Sequence, residues 1–134
     1  MKFFIDNNLS PALAEALHAL SANGGHAVVH LKQRFCQSTP DEAWIRTLGA
    51  EGDWTVVTQD RLNKGDQRAE LRRAALIVFF LDKVWSHHGF WDTAHNLVRW
   101  WPSIIDQSKD ARGSAAFKVT YNFSGKGRFE QVRL

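Results

Sequence analysis

The sequence predicts an α/β fold, a mostly parallel sheet with helices on both sides. Three observations predict it. Short apolar runs alternate with stretches whose apolar residues recur at helical spacing, the order expected of strand–helix–strand units. One run, "LIVFFL" at 76–81, is apolar throughout, as a strand covered on both faces has to be. The 134 residues, 44% hydrophobic with six Trp and nine Phe, suffice for one domain around a substantial core.

The elements follow in order. Residues 2–5 read as a short buried strand. Ser10 and Pro11 then read as N-cap and first helical residue. Leu13, Leu17 and Leu20 follow at helical spacing with Ala16 beside them, and Asn23-Gly24-Gly25 stops the helix. "HAVVHL" at 26–31 is the second strand. A polar loop, 32–39, leads to Thr39-Pro40, read as N-cap and N1 of a helix 40–50 that turns Trp44, Ile45 and Leu48 inward. "DWTVVTQD" at 53–60 is the third strand, and 66–74 a helix before the strand at 76–81. Residues 89–106 predict a longer helix with Trp91, Ala94, Val98, Trp101 and Ile105 on its apolar face, kinked or divided at Pro102. The tail alternates Phe117, Val119, Tyr121 and Phe123 with polar neighbours, turns at "SGKG" and returns as "RFEQVRL". That predicts a C-terminal β-hairpin, either paired at the sheet edge or serving as a partner-binding arm. The expected organisation is a single domain over 1–134, with a core at 1–106 and the hairpin extension at 114–134.

Composition narrows the function classes. No apolar run approaches the ~20 residues of a membrane span, and the N-terminus lacks the features of a signal peptide. Cys36 is the only cysteine, so no internal disulfide can form and a cytoplasmic setting is expected. The net charge of +3 permits a polyanionic partner without requiring one.

In open parallel sheets, ligands bind beyond the carboxyl ends of the strands. Two strands end in aspartate there: Asp6 after "FFI" and Asp60 after "VVTQ". Asp41 opens a helix, where a carboxylate also suits the N-terminal dipole. Standing before the third strand, Asp41 is not obviously on the same rim; the loop 32–39 is long enough to bring it round. Were the three to converge, repulsion would raise at least one pKa, and a divalent cation would relieve it. Oxygen ligands favour Mg2+ or Mn2+ over zinc, and such a cation activates water and stabilises phosphoryl charge. An acidic cluster of this kind suggests phosphodiester hydrolysis. The structural alternative makes Asp41 a helix-start charge and Asp60 the opening of a turn.

Thr58, two residues before Asp60 and on the same strand face, could orient the Asp60 carboxylate. Asn7 and Asn8 could bind a ligand oxygen or serve turn chemistry. Past Asp60, Arg61, Lys64 and Arg68 could hold substrate phosphates, with Arg61 and Lys64 nearest the strand end; a solvated helix face is the alternative for Arg68. His87, His88 and His95 match no zinc spacing. Of the helix tryptophans, Trp100 is expected to be exposed.

The blocks "FFIDNNLSPALAEAL", "GHAVVHL", "TPDEAWIRTLGAEGDWTVVTQDRL" and "ALIVFFL", taken in this order, resemble the PIN-like proteins, and among them the small branch related to VapC-type toxins. The resemblance covers about residues 1–105. It implies a three-layer α/β/α sandwich and a Mg2+- or Mn2+-dependent ribonuclease, in the VapC-type branch a toxin neutralised by a cognate antitoxin protein; PIN proteins also commonly form homodimers. Residue by residue, Asp6 matches the acid after the first strand, Asp41 the helix acid with Glu42 adjacent as a substitute, and Asp60 the acid after the later strand. The resemblance thus supplies the convergence that spacing leaves open. Two departures stand out. No acid follows Asp60 closely, Asp66 being the available stand-in, and Asn7 occupies a position where related sequences carry an acid. The expected function is a metal-dependent endoribonuclease with Asp6, Asp41 and Asp60 on the cation; the alternative is a non-catalytic PIN-like binding module.

Overall fold

The apolar runs of the sequence become five strands, and a short polar segment adds a sixth. In chain order these are β1 (Lys2–Ile5), β2 (Ala27–His30), β3 (Trp54–Thr58), β4 (Ile77–Leu81), β5 (Ala115–Val119) and β6 (Glu130–Val132). The structure, a computed structural model, describes residues 1–123 and 127–134. The strands form one sheet in the order β2-β1-β3-β4-β5-β6. β1 to β5 are parallel, and only β6 runs antiparallel, against β5. The helices are α1 (Pro11–Ser21), α2 (Leu31–Arg34), α3 (Asp41–Glu51), α4 (Gln67–Ala74) and α5 (Phe90–Asp110).

The sheet separates two cores, which explains the unbroken apolar strands. One face carries Phe3, Ile5, Val57, Phe79, Leu81, Phe117 and Val119 against Leu13 and Leu17 of α1 and Leu97, Trp100, Trp101 and Ile104 of α5. The other carries Phe4, Val56, Val78, Phe80 and Ala116 against Trp44, Ile45 and Leu48 of α3 and Leu71 of α4. This is the expected three-layer α/β/α arrangement with a C-terminal hairpin. β5 takes its place in the sheet, and Phe117 and Val119 belong to the core.

Several local expectations are corrected. On α1 the buried positions are Leu13, Ala14, Leu17 and Ser21. Leu20 is 64% exposed, and Ala16 is exposed. Ser21 takes the inward place because its hydroxyl is satisfied twice, donating to Leu17 O at 2.6 Å and accepting from Trp101 Nε1 at 2.9 Å. The segment 32–39 is not all loop. α2 begins right after β2, capped by the His30 ring, which accepts from Lys32 N–H at 3.1 Å while Gln33 Oε1 accepts from His30 N–H; a histidine cap is outside the usual Ser/Thr/Asp/Asn signature. Pro40 is the N-cap of α3, not its first residue, with ψ 147° still extended.

α5 runs through Pro102 undivided and buries Thr93, Leu97, Trp100, Trp101, Ile104 and Ser108, a face one residue behind the expected stripe. Trp91 is 81% exposed and Trp100 is buried, the reverse of the expectation. The reason is helical phase: Trp91 and Trp100 are nine residues apart, which at 3.6 residues per turn puts them on opposite faces, and the face that carries Thr93, Leu97, Trp100 and Ile104 is the one turned to the sheet. In the tail, β5 and β6 are joined by residues 120–129, a longer connection than the four-residue turn expected. Ser124, Gly125 and Lys126 of that turn lie outside the described residues.

Candidate functional site

On the face that buries Phe4, Val56, Val78 and Ala116, the next residues along the same strands stand at the carboxyl rim: Asp6, Thr58, Phe80 and Lys118. Thr58 pairs with Phe80 and Phe80 with Lys118 in register. Asp6 extends the β1–β3 pairing by one residue, its N–H donating to Val57 O at 3.1 Å. The strand register therefore lays a carboxylate, a hydroxyl, an aromatic ring and an ammonium in one row.

Asp6 is 4% exposed. The Thr58 hydroxyl donates to its Oδ2 at 2.7 Å and the Asn7 N–H to its Oδ1 at 2.6 Å. Burial pushes the Asp6 carboxyl above the usual carboxylate range. The two donors pull it back, and the charges of Asp41 and Asp60 add to the rise. Thr58 does not orient the Asp60 carboxylate, as the spacing suggested. Its oxygen instead accepts from Asp60 N–H at 2.9 Å, so one hydroxyl ties the ends of both strands together. The Asp60 carboxylate turns forward, Oδ1 accepting from Leu62 N–H at 2.9 Å. Leu62 is fully buried with φ 49°, a left-handed conformation that a leucine adopts only when its surroundings enforce it.

Asp41 does lie at this rim, the place that spacing left open and the resemblance implied. In a parallel crossover the helix runs back against the strand direction, so the first turn of α3 sits at the carboxyl ends of the strands. Asp41 Oδ1 accepts from Trp44 Nε1 and Oδ2 from Gln67 Nε2, each at 2.9 Å. Burial raises its pKa, the Trp44 bond opposes this, and the charges of Asp60 and Glu42 raise it further. The three acids thus feel one another, and neither Asp6 nor Asp41 forms an ion pair with a basic side chain among the described residues.

Close approach of α3 and α4 makes this possible. A Cβ on Gly49 would stand 2.6 Å from Ala74 Cβ and 2.8 Å from its Cα, so only glycine fits there. Buried Glu70 of α4 adds a bond to Arg46 of α3 at 3.4 Å, and to Arg73 at 2.8 Å.

Among the described residues, no three His, Cys, Asp or Glu side chains stand close enough to hold a metal ion between them. An all-protein cage is therefore not preformed there. The donor set still suits Mg2+ or Mn2+, because Mg2+ uses one or two carboxylates and fills its remaining positions with water and substrate oxygens. Asp6 and Asp60 have carboxylate lone pairs to spare. Asp41 stands as Asp6 does, each oxygen accepting one hydrogen bond and keeping a lone pair.

The auxiliary residues separate. Asn7 contributes its backbone N–H, and its side chain is exposed. Glu42 is half-buried and acts on Asp41 through its charge. Asp66 is exposed at the start of α4, and its charge is not among those that raise Asp6 or Asp41. Arg61 and Lys64 are exposed. Arg68 is half-buried, bonding to Arg61 O at 2.8 Å, Leu62 O at 3.2 Å and Arg133 O at 3.4 Å, with its guanidinium 5.0 Å above the Phe80 ring. It holds the loop after β3 to the last strand. Of the three histidines, His87 and His95 are exposed and His88 stacks on Tyr121, centroids 3.8 Å apart.

Sequence reasoning missed Gln67 and the role of the Trp44 indole, which together hold Asp41. It also missed Asp82, Lys83 and Lys118, which line a cavity of about 290 Å3 beside Asp60. The Trp44–Asp41 bond is a local i, i+3 contact on α3, Gln67 reaches Asp41 through the packing of α4 on α3, and the order of the strands assembles the rest. No helix among the described residues is long and apolar enough to cross a membrane.

A family model described as a PIN like domain matches residues 1–83, more than half of the chain. No curated protein and no solved structure matches it.

Proposed function

The chain belongs to the PIN-like domain family, a nuclease-type fold, and from that premise we propose that it is a Mg2+- or Mn2+-dependent endoribonuclease, the toxin half of a toxin–antitoxin pair that a cognate antitoxin protein neutralises. One observation carries the reading: Asp6 and Asp41 sit at the carboxyl rim with raised pKa values and neutral donors only, within the field of Asp60. Asp6, Asp41 and Asp60 would share the cation, with bound water completing the contacts. The cation would supply an activated water and charge stabilisation for phosphodiester hydrolysis. Thr58 keeps Asp6 and the Asp60 backbone in register, and Arg61 and Lys64 are placed to meet the phosphate backbone. Asp6 directly follows Phe3, Phe4 and Ile5, which are fully buried, and its two hydrogen bonds fix the carboxylate.

A second reading, a binding module without catalysis, is favoured by one feature: both oxygens of Asp41, and both of Asp6, already accept hydrogen bonds from the protein. Thermal unfolding separates the two. A cation that binds only the folded state raises stability, by about 2.7 kcal/mol at a hundredfold excess over Kd. Millimolar Mn2+ is expected to raise the wild-type Tm by several degrees and to leave Asp6→Asn/Asp60→Asn unmoved. An equal response in both proteins removes the cation from these carboxylates and leaves the binding module.

A further inference from the structure

We propose that Lys83 and Lys118 form a phosphate-holding subsite for the nucleic-acid strand, Lys83 at the end of the family match and Lys118 beyond it. The inference deepens the nuclease reading and rests on it for the choice of ligand. The cavity beside Asp60 is floored by Phe80 and walled by Arg61, Arg68, Lys83 and Lys118. At about 290 Å3 it stands at the small end of ligand sites (~300–1,000 Å3), matching a phosphate and its sugar rather than a large cofactor.

The charges inside it are unequal in freedom. Asp60 and Asp82 are each tied to their own backbone, Asp60 Oδ1 by Leu62 N–H and Asp82 Oδ1 by Val84 N–H at 3.0 Å. Arg68 is fixed by three carbonyls and the Phe80 ring. Lys83 is exposed and enters no ion pair among the described residues. Lys118 meets Glu130 at 3.9 Å, with Glu130 70% exposed, a surface pair worth ~0–1 kcal/mol that a phosphate can replace. Two mobile ammonium groups therefore face the cavity from β5 and from the turn after β4.

Register places the subsite. Lys118 lies three strands from Asp6 in the row Asp6–Thr58–Phe80–Lys118, ~14 Å at the strand spacing of ~4.8 Å. That is too far for both to address one phosphate, so the lysines would hold a neighbour of the scissile one. Family-matched residues 1–83 supply the acids and Lys83, and β5, outside the match, supplies Lys118.

The test is the binding of a fluorescein-labelled single-stranded 12-nucleotide RNA by anisotropy, in EDTA, between 50 and 200 mM KCl. Each phosphate contact on a single strand contributes about 0.7 to the slope of log K against log salt. Lys83→Gln/Lys118→Gln is expected to weaken binding at low salt and to flatten the slope by about 1.4. Lys109→Gln/Arg112→Gln, which removes the same charge from the opposite end of the sheet, is expected to change neither. No wild-type binding, wild-type behaviour of the lysine pair, or an equal loss in the control pair would overturn the subsite. Mn2+-dependent cleavage of the same RNA is scored separately. Loss of binding in the lysine pair together with a wild type that cleaves nothing would keep the subsite and reject the nuclease.

Discussion

The two ends of α3 carry acids of opposite temperament. Asp41, at its start, has a raised pKa. Glu51, at its end, is pulled down to about 2. The helix dipole predicts the reverse, favouring a carboxylate at the N-terminus and disfavouring one at the C-terminus by ~0.3–1 kcal/mol. Direct partners override it. Glu51 receives both guanidinium nitrogens of Arg34, Nη1 at 2.7 Å, and the Trp54 Nε1 at 2.9 Å. Asp41 receives two neutral N–H groups and the repulsion of its neighbours. An acid paired with an arginine is finished: its charge is compensated and it serves the fold. An acid held by neutral donors keeps its charge uncompensated. Asp6 belongs with Asp41 in this respect, and an uncompensated pair of this kind is what the proposed cation site needs.

Several experiments would break or sharpen this contrast. The largest effect is expected from Asp6→Asn, which should lower Mn2+-dependent RNA cleavage at least ~100-fold, since a catalytic cation supplies several kcal/mol of charge stabilisation; Glu51→Gln should leave the rate unchanged. A cleavage assay under single-turnover conditions reads both, and equal rates for wild type and Asp6→Asn would end the contrast. Next comes Gly49→Val. Pressing side-chain carbons into Ala74 overpacks the α3–α4 contact at a cost of about 1–3 kcal/mol, several degrees of Tm, and loosens Asp41 from Gln67. Denaturant unfolding gives the first effect, and a smaller Mn2+-induced Tm rise the second.

The smallest effect is the most discriminating, because the two kinds of acid should differ in sign with pH. A carboxyl raised in the folded state costs stability once it ionises. Asp6→Asn should therefore melt higher than wild type above the raised pKa, the gap closing as pH falls toward the ordinary value of 3.8. A lowered carboxyl contributes stability above its unfolded value. Glu51→Gln should melt lower than wild type above 4.5, the difference fading as pH falls toward about 2. Melting curves from pH 2 to 8 for the three proteins decide it; parallel trends would place Asp6 and Glu51 in one class.

Much of the scaffold was legible because period and punctuation are local. "LIVFFL" became β4, covered on both faces, and Ser10-Pro11 opened α1 with the Ser10 hydroxyl accepting from Ala12 N–H at 3.1 Å. What was not legible depended on where elements end relative to one another. Trp91 and Trp100 are chemically identical and lie on opposite faces of α5, and only the rotation at which the helix packs on the sheet decides which is buried. Asp6 and Asp60 could be placed at the rim from the strands that end in them. The Thr58 hydroxyl was assigned to the wrong carboxylate, because β1 and β3 are neighbours in the sheet but 52 residues apart at that bond. Gln67 and Lys118 carry no signal of their own; Gln67 acquires its place from the packing of α4 on α3 and Lys118 from strand order.

The bond from Trp44 to Asp41 has an optical consequence. An indole ring's emission responds to charge at its N–H end, and Trp44 is fully buried with that nitrogen on a carboxylate. Any event that neutralises Asp41, whether a proton or a nearby cation, changes the electric field along the ring. The molecule thus carries a built-in fluorescent reporter at its acidic rim, and a Trp44→Phe variant supplies the blank against which the other five tryptophans are subtracted.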